Sequence, residues 1–136
     1  MKSYVPAFAL LSLILLGAGC ATQPKWARYE VCFGMSADAG KTRISDQQWR
    51  QFRDQEIAGR FCDGFTVYHA DGYSRSGSQT YSEPAEILMV VAPDSRDTQD
   101  KLDAIARAYA RTFRQESVLQ IKSPAEVIFQ KTKANK

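Results

Sequence analysis

Glu86-Ile87-Leu88-Met89-Val90-Val91-Ala92 is the stretch on which the fold turns. It is apolar throughout after Glu86, rich in branched side chains, and closed by Pro93-Asp94. That is too short for a typical helix and too continuous for a half-exposed strand, so it predicts a central strand buried on both faces. Downstream, residues 98–115 place Leu102, Ile105, Ala106, Tyr109 and Phe113 on one helical stripe, with Arg107, Arg111 and Arg114 turned largely away. Residues 117–121 and 125–129 then predict a last strand interrupted at Ser123-Pro124.

Upstream of the apolar run, residues 73–81 contain Ser76-Gly77-Ser78 and predict a small hairpin, preceded by an Asp71-Gly72 turn. Residues 65–70 form the strand before it, and Asp63-Gly64 is a second turn. A helix is signalled at Ser45, which has Gln48 three residues on for a capping box and Ile44 to staple onto Trp49. Trp49, Phe52, Glu56 or Ile57, and Arg60 continue it. Residues 28–34 alternate Tyr29, Val31 and Phe33 on one face, a half-buried first strand. The order is βαββαβ, which predicts a ferredoxin-like α+β sandwich with an antiparallel sheet and two helices on one face. The other face is left solvated, covered by a partner subunit, or used as a ligand site. Val67 and His69 are expected to lie on it, where an added charge would disrupt association.

The N-terminus reads differently. Lys2 precedes an apolar run over residues 5–16, then Gly17-Ala18-Gly19 and Cys20. Charge, apolar stretch and small residues in that order are an export signal. Ending on Cys20, it resembles a bacterial lipoprotein signal, although Gly17 stands where such signals usually carry Leu. Two other readings are a cleaved signal with an unlipidated Cys20 and an uncleaved membrane span over the uncharged residues 3–22. Pro6 and the Gly-Ala-Gly before Cys20 argue against the span. The resulting division is a signal peptide at 1–19, a lipid-anchored tether at 20–27, one α+β domain at 28–130 and a basic tail at 131–136. The resemblance implies an acylated, palmitate-bearing Cys20. By the same resemblance, Ala21, rather than an Asp that would retain the protein at the inner membrane, implies, in a host with two membranes, an outer-membrane anchor facing the periplasm.

Removal of residues 1–19 leaves 117 of the 136 residues, enough for one domain with its own core. The formal charge of +3 then drops by the one contributed by Lys2, too mild for a nucleic-acid-binding protein. Lys131, Lys133 and Lys136 read as a solvated terminus. Export permits a disulfide between Cys32 and Cys62, but their Cα atoms would have to come within about 7 Å. Two buried free thiols are the simpler reading.

Chemical motifs are sparse. Gly34 to Thr42 ends in Gly-Lys-Thr like a phosphate-binding loop, but it has five residues between its glycines where that loop needs four, and the helix begins later, at Ser45. His69 is the only histidine, so paired-His chemistry is excluded; with no Cys-x-x-Cys or His-Glu-x-x-His spacing, neither a metal nor another cofactor is expected. A Cys–His pair drawn from Cys32 or Cys62 with His69 would need a meeting that nothing local demands. Asp63, Asp71, Glu83 and Glu86 flank strand ends, and turn chemistry explains the two Asp-Gly pairs equally well. The weak catalytic candidates are therefore Asp63, Glu83 and His69.

Cys32-Phe33-Gly34-Met35, Ser45 through Trp49 and Phe52, and Arg60-Phe61-Cys62-Asp63-Gly64-Phe65-Thr66-Val67 form ordered words, as do Glu83-Pro84 and Phe113-Arg114-Gln115-Glu116-Ser117-Val118-Leu119. Together they resemble an uncharacterised bacterial family, domain of unknown function thirty-five seventy-four. The resemblance implies a small exported protein or lipoprotein with a one-domain fold and brings no established activity. Members usually carry Pro where Cys62 stands, which implies no family-wide role for that thiol. The expected function is that of an envelope lipoprotein binding a partner or small ligand, without chemistry of its own. Its partners would be the membrane, through Cys20, and a second copy of the chain, and not nucleic acid. The alternatives are a structural lipoprotein that binds no ligand and a small enzyme using a carboxylate near the sheet face.

Overall fold

The computed structural model describes residues 25–37 and 41–131. Residues 1–19, expected from the sequence to be an export signal, Cys20 and the lysines beyond 131 lie outside the described residues. Six strands and two helices follow in order: β1 (Trp26–Gly34), β2 (Ser36–Ala37), β3 (Thr42–Arg43), α1 (Asp46–Phe52), β4 (Thr66–Ser76), β5 (Gln79–Pro93), α2 (Arg96–Phe113) and β6 (Leu119–Ala125). The main sheet runs β4-β5-β1-β6, antiparallel throughout, while β2 and β3 form a small ribbon of their own. This is the ferredoxin-like α+β arrangement expected from the sequence.

The alternation in β1 sets the layers. Ala27, Tyr29, Val31 and Phe33 are buried on one side, joined by Leu88 and Val90 of β5. Both helices close over them with Trp49, Phe52 and Ile57 from the first and Leu102, Ile105, Tyr109 and Phe113 from the second. Aromatic rings dominate the junction: Phe33 and Tyr109 have centroids 4.6 Å apart, Tyr109 and Phe113 4.7 Å. Tilted and edge-on pairs of this kind add attraction beyond area burial. The Tyr109 hydroxyl donates to the Gly34 carbonyl at 2.7 Å, so its polar end is satisfied in the core.

The start of α1 is as expected. Ser45 Oγ accepts from the Gln48 N–H, and the Gln48 side chain accepts from the Ser45 N–H at 2.9 Å, a complete capping box. The end of that helix is unusual. Residues Arg53–Ile57 continue in π register, with the Ala58 N–H reaching back five residues to the Arg53 carbonyl at 3.0 Å. The extra residue in that turn advances the phase by one, so Ile57 and not Glu56 enters the core.

Four expectations need correction. Asp71-Gly72 is no turn: β4 runs straight through it, and the reversal comes at Gly77, whose φ of +60° suits glycine. Ser123-Pro124 does not interrupt the last strand. Pro124 pairs with Ala27 inside β6, tolerated because β6 is a sheet edge and its missing N–H can face outward. Beyond Ala125 the chain leaves the sheet, so residues 125–129 are not a strand. The 86–92 run is central, as expected, but its two faces are unequal: Leu88 and Val90 lie in the core beneath the helices, whereas Val91 on the other face is 41% exposed.

The first strand also starts two residues earlier than its alternation suggested, at Trp26, which pairs with Pro93 and Ala125. At the opposite end β1 stops at Gly34, opposite Ala85, so residues 71–76 and 79–84 project past it as a two-stranded ribbon.

Candidate functional site

Strand alternation decides what the uncovered face presents. Arg28, Glu30 and Cys32 of β1 point there, flanked by Ile87, Met89 and Val91 of β5, by Thr66 and Tyr68 of β4, and by Leu119 and Ile121 of β6. Leu119 is 60% exposed and Tyr68 39%, with Ile121 and Val91 between them in value. The face is thus an apolar surface across four strands with one polar group of residues at its centre.

That centre is internally satisfied. Glu30 Oε1 accepts from Arg28 Nη2 at 2.5 Å and from the Tyr68 hydroxyl at 2.6 Å. The Tyr68 hydrogen bond first, then Arg28, holds the Glu30 carboxyl below the usual carboxylate range. The same bonds push the Arg28 guanidinium and the Tyr68 hydroxyl upward. Burial, then the neighbouring Glu30 charge, pushes the Cys32 thiol up, which keeps it protonated and a poor nucleophile.

The sequence-derived candidates are dispersed. Val67 and His69 do not lie on the open face. They share the parity of Leu88 and Glu86, on the helix side, and Val67 packs against the core. His69 is exposed at the β4 edge, with Nδ1 3.2 Å from Glu86 Oε1. Glu83 accepts from the Ser36 N–H at 3.1 Å, pinning the strand exit after β1. Asp63 is exposed in the turn before β4, where the Gly64 φ of +120° confirms the Asp-Gly turn reading. The side-chain partners of Glu83 and His69 are thus different, Ser36 for the one and Glu86 for the other, and Asp63 belongs to the turn before β4.

Cys32 and Cys62 are free in the structure, one half-buried on the open face and the other exposed at the end of the first helix. Cys62 is therefore not the buried thiol expected. It lines a cleft of about 290 Å³ with Arg60, Phe61, Asp63 and the start of α2. The cations of that cleft are engaged, Arg60 with Glu56 at 2.9 Å and Lys101 with Asp97 at 2.8 Å. The N-terminus of α2 is capped by Ser95, whose Oγ accepts from the Thr98 N–H at 3.1 Å. Among the described residues no three His, Cys, Asp or Glu side chains converge as a metal site requires.

Sequence reasoning missed Arg28, Glu30 and Tyr68. The signal available was the i, i+2 spacing of Arg28 and Glu30 on one strand face, but the cross-strand meeting with Tyr68 depends on a register the sequence does not display.

The family model described as "Protein of unknown function (DUF3574)" matches residues 28–129. Among curated proteins, none matches the chain. Of solved structures, a phage SAM lyase in complex with S-methyl-5'-thioadenosine is similar at 15% identity and a TM-score of 0.54, covering 74% of this chain and 81% of that one. The lyase in its apo state is similar at 14% identity and 0.56, covering 76% and 83%. At such identities the likeness is one of fold.

Proposed function

Since the chain belongs to the DUF3574 family, whose description assigns no activity, we propose from its surface that it is an envelope-anchored binding module rather than an enzyme. In this reading residues 1–19 direct export, Cys20 carries the lipid, and the open sheet face takes a second copy of the chain. The observation that carries it is the exposure of Tyr68, Val91, Leu119 and Ile121 on one continuous face. Large exposed apolar patches of this kind mark interaction surfaces. The central Arg28–Glu30–Tyr68 group lowers the cost of covering this face, because its opposite charges are already paired with one another. A two-fold pairing asks only that this one face be self-complementary.

Native mass spectrometry on the mature chain tests the reading. The expected result is a dimer that Leu119→Asp or Ile121→Asp converts to a folded monomer. A wild-type monomer at high micromolar concentration would sink the dimer, and the mass of Cys20 on membrane-purified protein separately reads the anchor. Mass retained beyond the chain would redirect the binding role to a small ligand.

A further inference from the structure

The geometry points to a second contact with the bilayer: the rim of the sheet carrying Trp26, Ile128 and Phe129 rests on the membrane surface beside the anchor. The inference rests on the Cys20 reading for its address, and on the rim itself for its chemistry. After β6 the chain crosses the end of the open face and leaves Ile128 71% and Phe129 74% exposed. The Phe129 ring meets Trp26 edge-on at 6.0 Å, and together with Val91 and Ala125 they border an apolar cleft of about 400 Å³. Two large apolar side chains held in solvent against a tryptophan suit the boundary between headgroups and acyl chains, where aromatic residues gather.

Position and charge specify the occupant. Trp26 is the first residue of β1 and stands six residues from Cys20, a length of chain that spans at most about 20 Å. A lipid at Cys20 therefore keeps this rim within about 20 Å of the bilayer. Exposed Lys25 precedes Trp26, and exposed Lys131 follows Phe129, with Lys133 and Lys136 next in sequence. Against these stand Glu126 and Asp94, the latter already paired with Lys122 at 2.5 Å. In the cleft on the other side of Trp26, Asp97 is paired with Lys101 at 2.8 Å, and Asp63 lines that same cleft. Lysines flanking an apolar rim fit anionic headgroups. Docked so, the strands of β1 rise from the membrane and the Gly77 tip of the hairpin points away from it. The lipid alone would fix the protein's address; the rim fixes its orientation.

The two tryptophans supply the test, since Trp49 is buried in the core and Trp26 lies at the rim. All members of the core lie between Ala27 and Val118, so the mature chain with Cys20→Ser, residues 20–136, contains the whole fold. It is mixed with phosphatidylglycerol-rich vesicles containing brominated lipid. The expected result is quenching of a component of the emission that Trp26→Phe removes, with Trp49 unaffected. Ile128→Ser with Phe129→Ser should lower the vesicle partition coefficient by about tenfold or more, and high salt should weaken binding. Absence of Trp26 quenching, or quenching unchanged in the double variant, overturns the inference. So does a double variant that changes the oligomer mass instead, which would make the rim a contact between copies. Quenching without a lipid adduct on Cys20 in cells would sink the anchor and leave the rim standing; an adduct without quenching would do the reverse.

Discussion

Alternate residues of β1 meet opposite surroundings. Ala27, Tyr29, Val31 and Phe33 are sealed beneath two helices, whereas Arg28, Glu30 and Cys32 look out from the face that neither helix covers. The sealed side is held by close aromatic packing, and the open side by a few hydrogen bonds and partial burial. The difference separates two kinds of constraint. Substitutions on the helix side should be felt as lost stability, and those on the open side as lost association.

Phe33→Ala should break that separation most visibly if it is wrong. Phe33 is fully buried against Trp49, Phe52 and Tyr109, so its truncation should cost about 3–5 kcal/mol in urea unfolding. Leu119→Ala on the open face of a monomeric sample should cost well under that, within about 1 kcal/mol. Comparable losses would mean that the open face contributes to the fold. Tyr109→Phe keeps the ring and deletes the bond to the Gly34 carbonyl; about 1–2 kcal/mol should go, because that acceptor loses its partner. Ser45→Ala should cost about 1 kcal/mol by the same measurement, through the cap rather than the core.

The smallest effect is electrostatic. Glu30 has a folded pKa below its unfolded one, so its hydrogen bonds stabilise the fold above the unfolded value and are lost as pH falls through the folded one. Tyr68→Phe removes the larger cause, and the Glu30 carboxyl should titrate at higher pH by NMR. No upward movement would mean that Arg28 alone sets the value.

Much of the helix side was legible. The Ser45–Gln48 capping box, the Leu102–Ile105–Tyr109–Phe113 stripe and the β1 alternation all depend on neighbours in sequence, where local spacing carries the information. The open side was harder. Alternation tells that Val67 and His69 share a face and that Tyr68 takes the other, but not which face the helices cover. Asp71-Gly72 carries strong turn chemistry, yet the ladder with Pro84 and Glu83 overrides it, because pairing to the end of the ribbon satisfies more backbone groups. Pro124 was misread because its tolerance depends on β6 being an edge, a property of topology. The candidate surface followed the same rule: an uncovered face was foreseeable, and its central Arg28, Glu30 and Tyr68 were not.

The π turn at Arg53–Ile57 gives the chain a spare residue. An ordinary helix cannot lose one position without rotating everything beyond it by 100°. Here, deletion of Gln55 would let the turn relax to α geometry while Ile57 kept its place beneath the sheet. The first helix is therefore the place where this sequence can shorten by a single residue across evolutionary time without having to invent a new core.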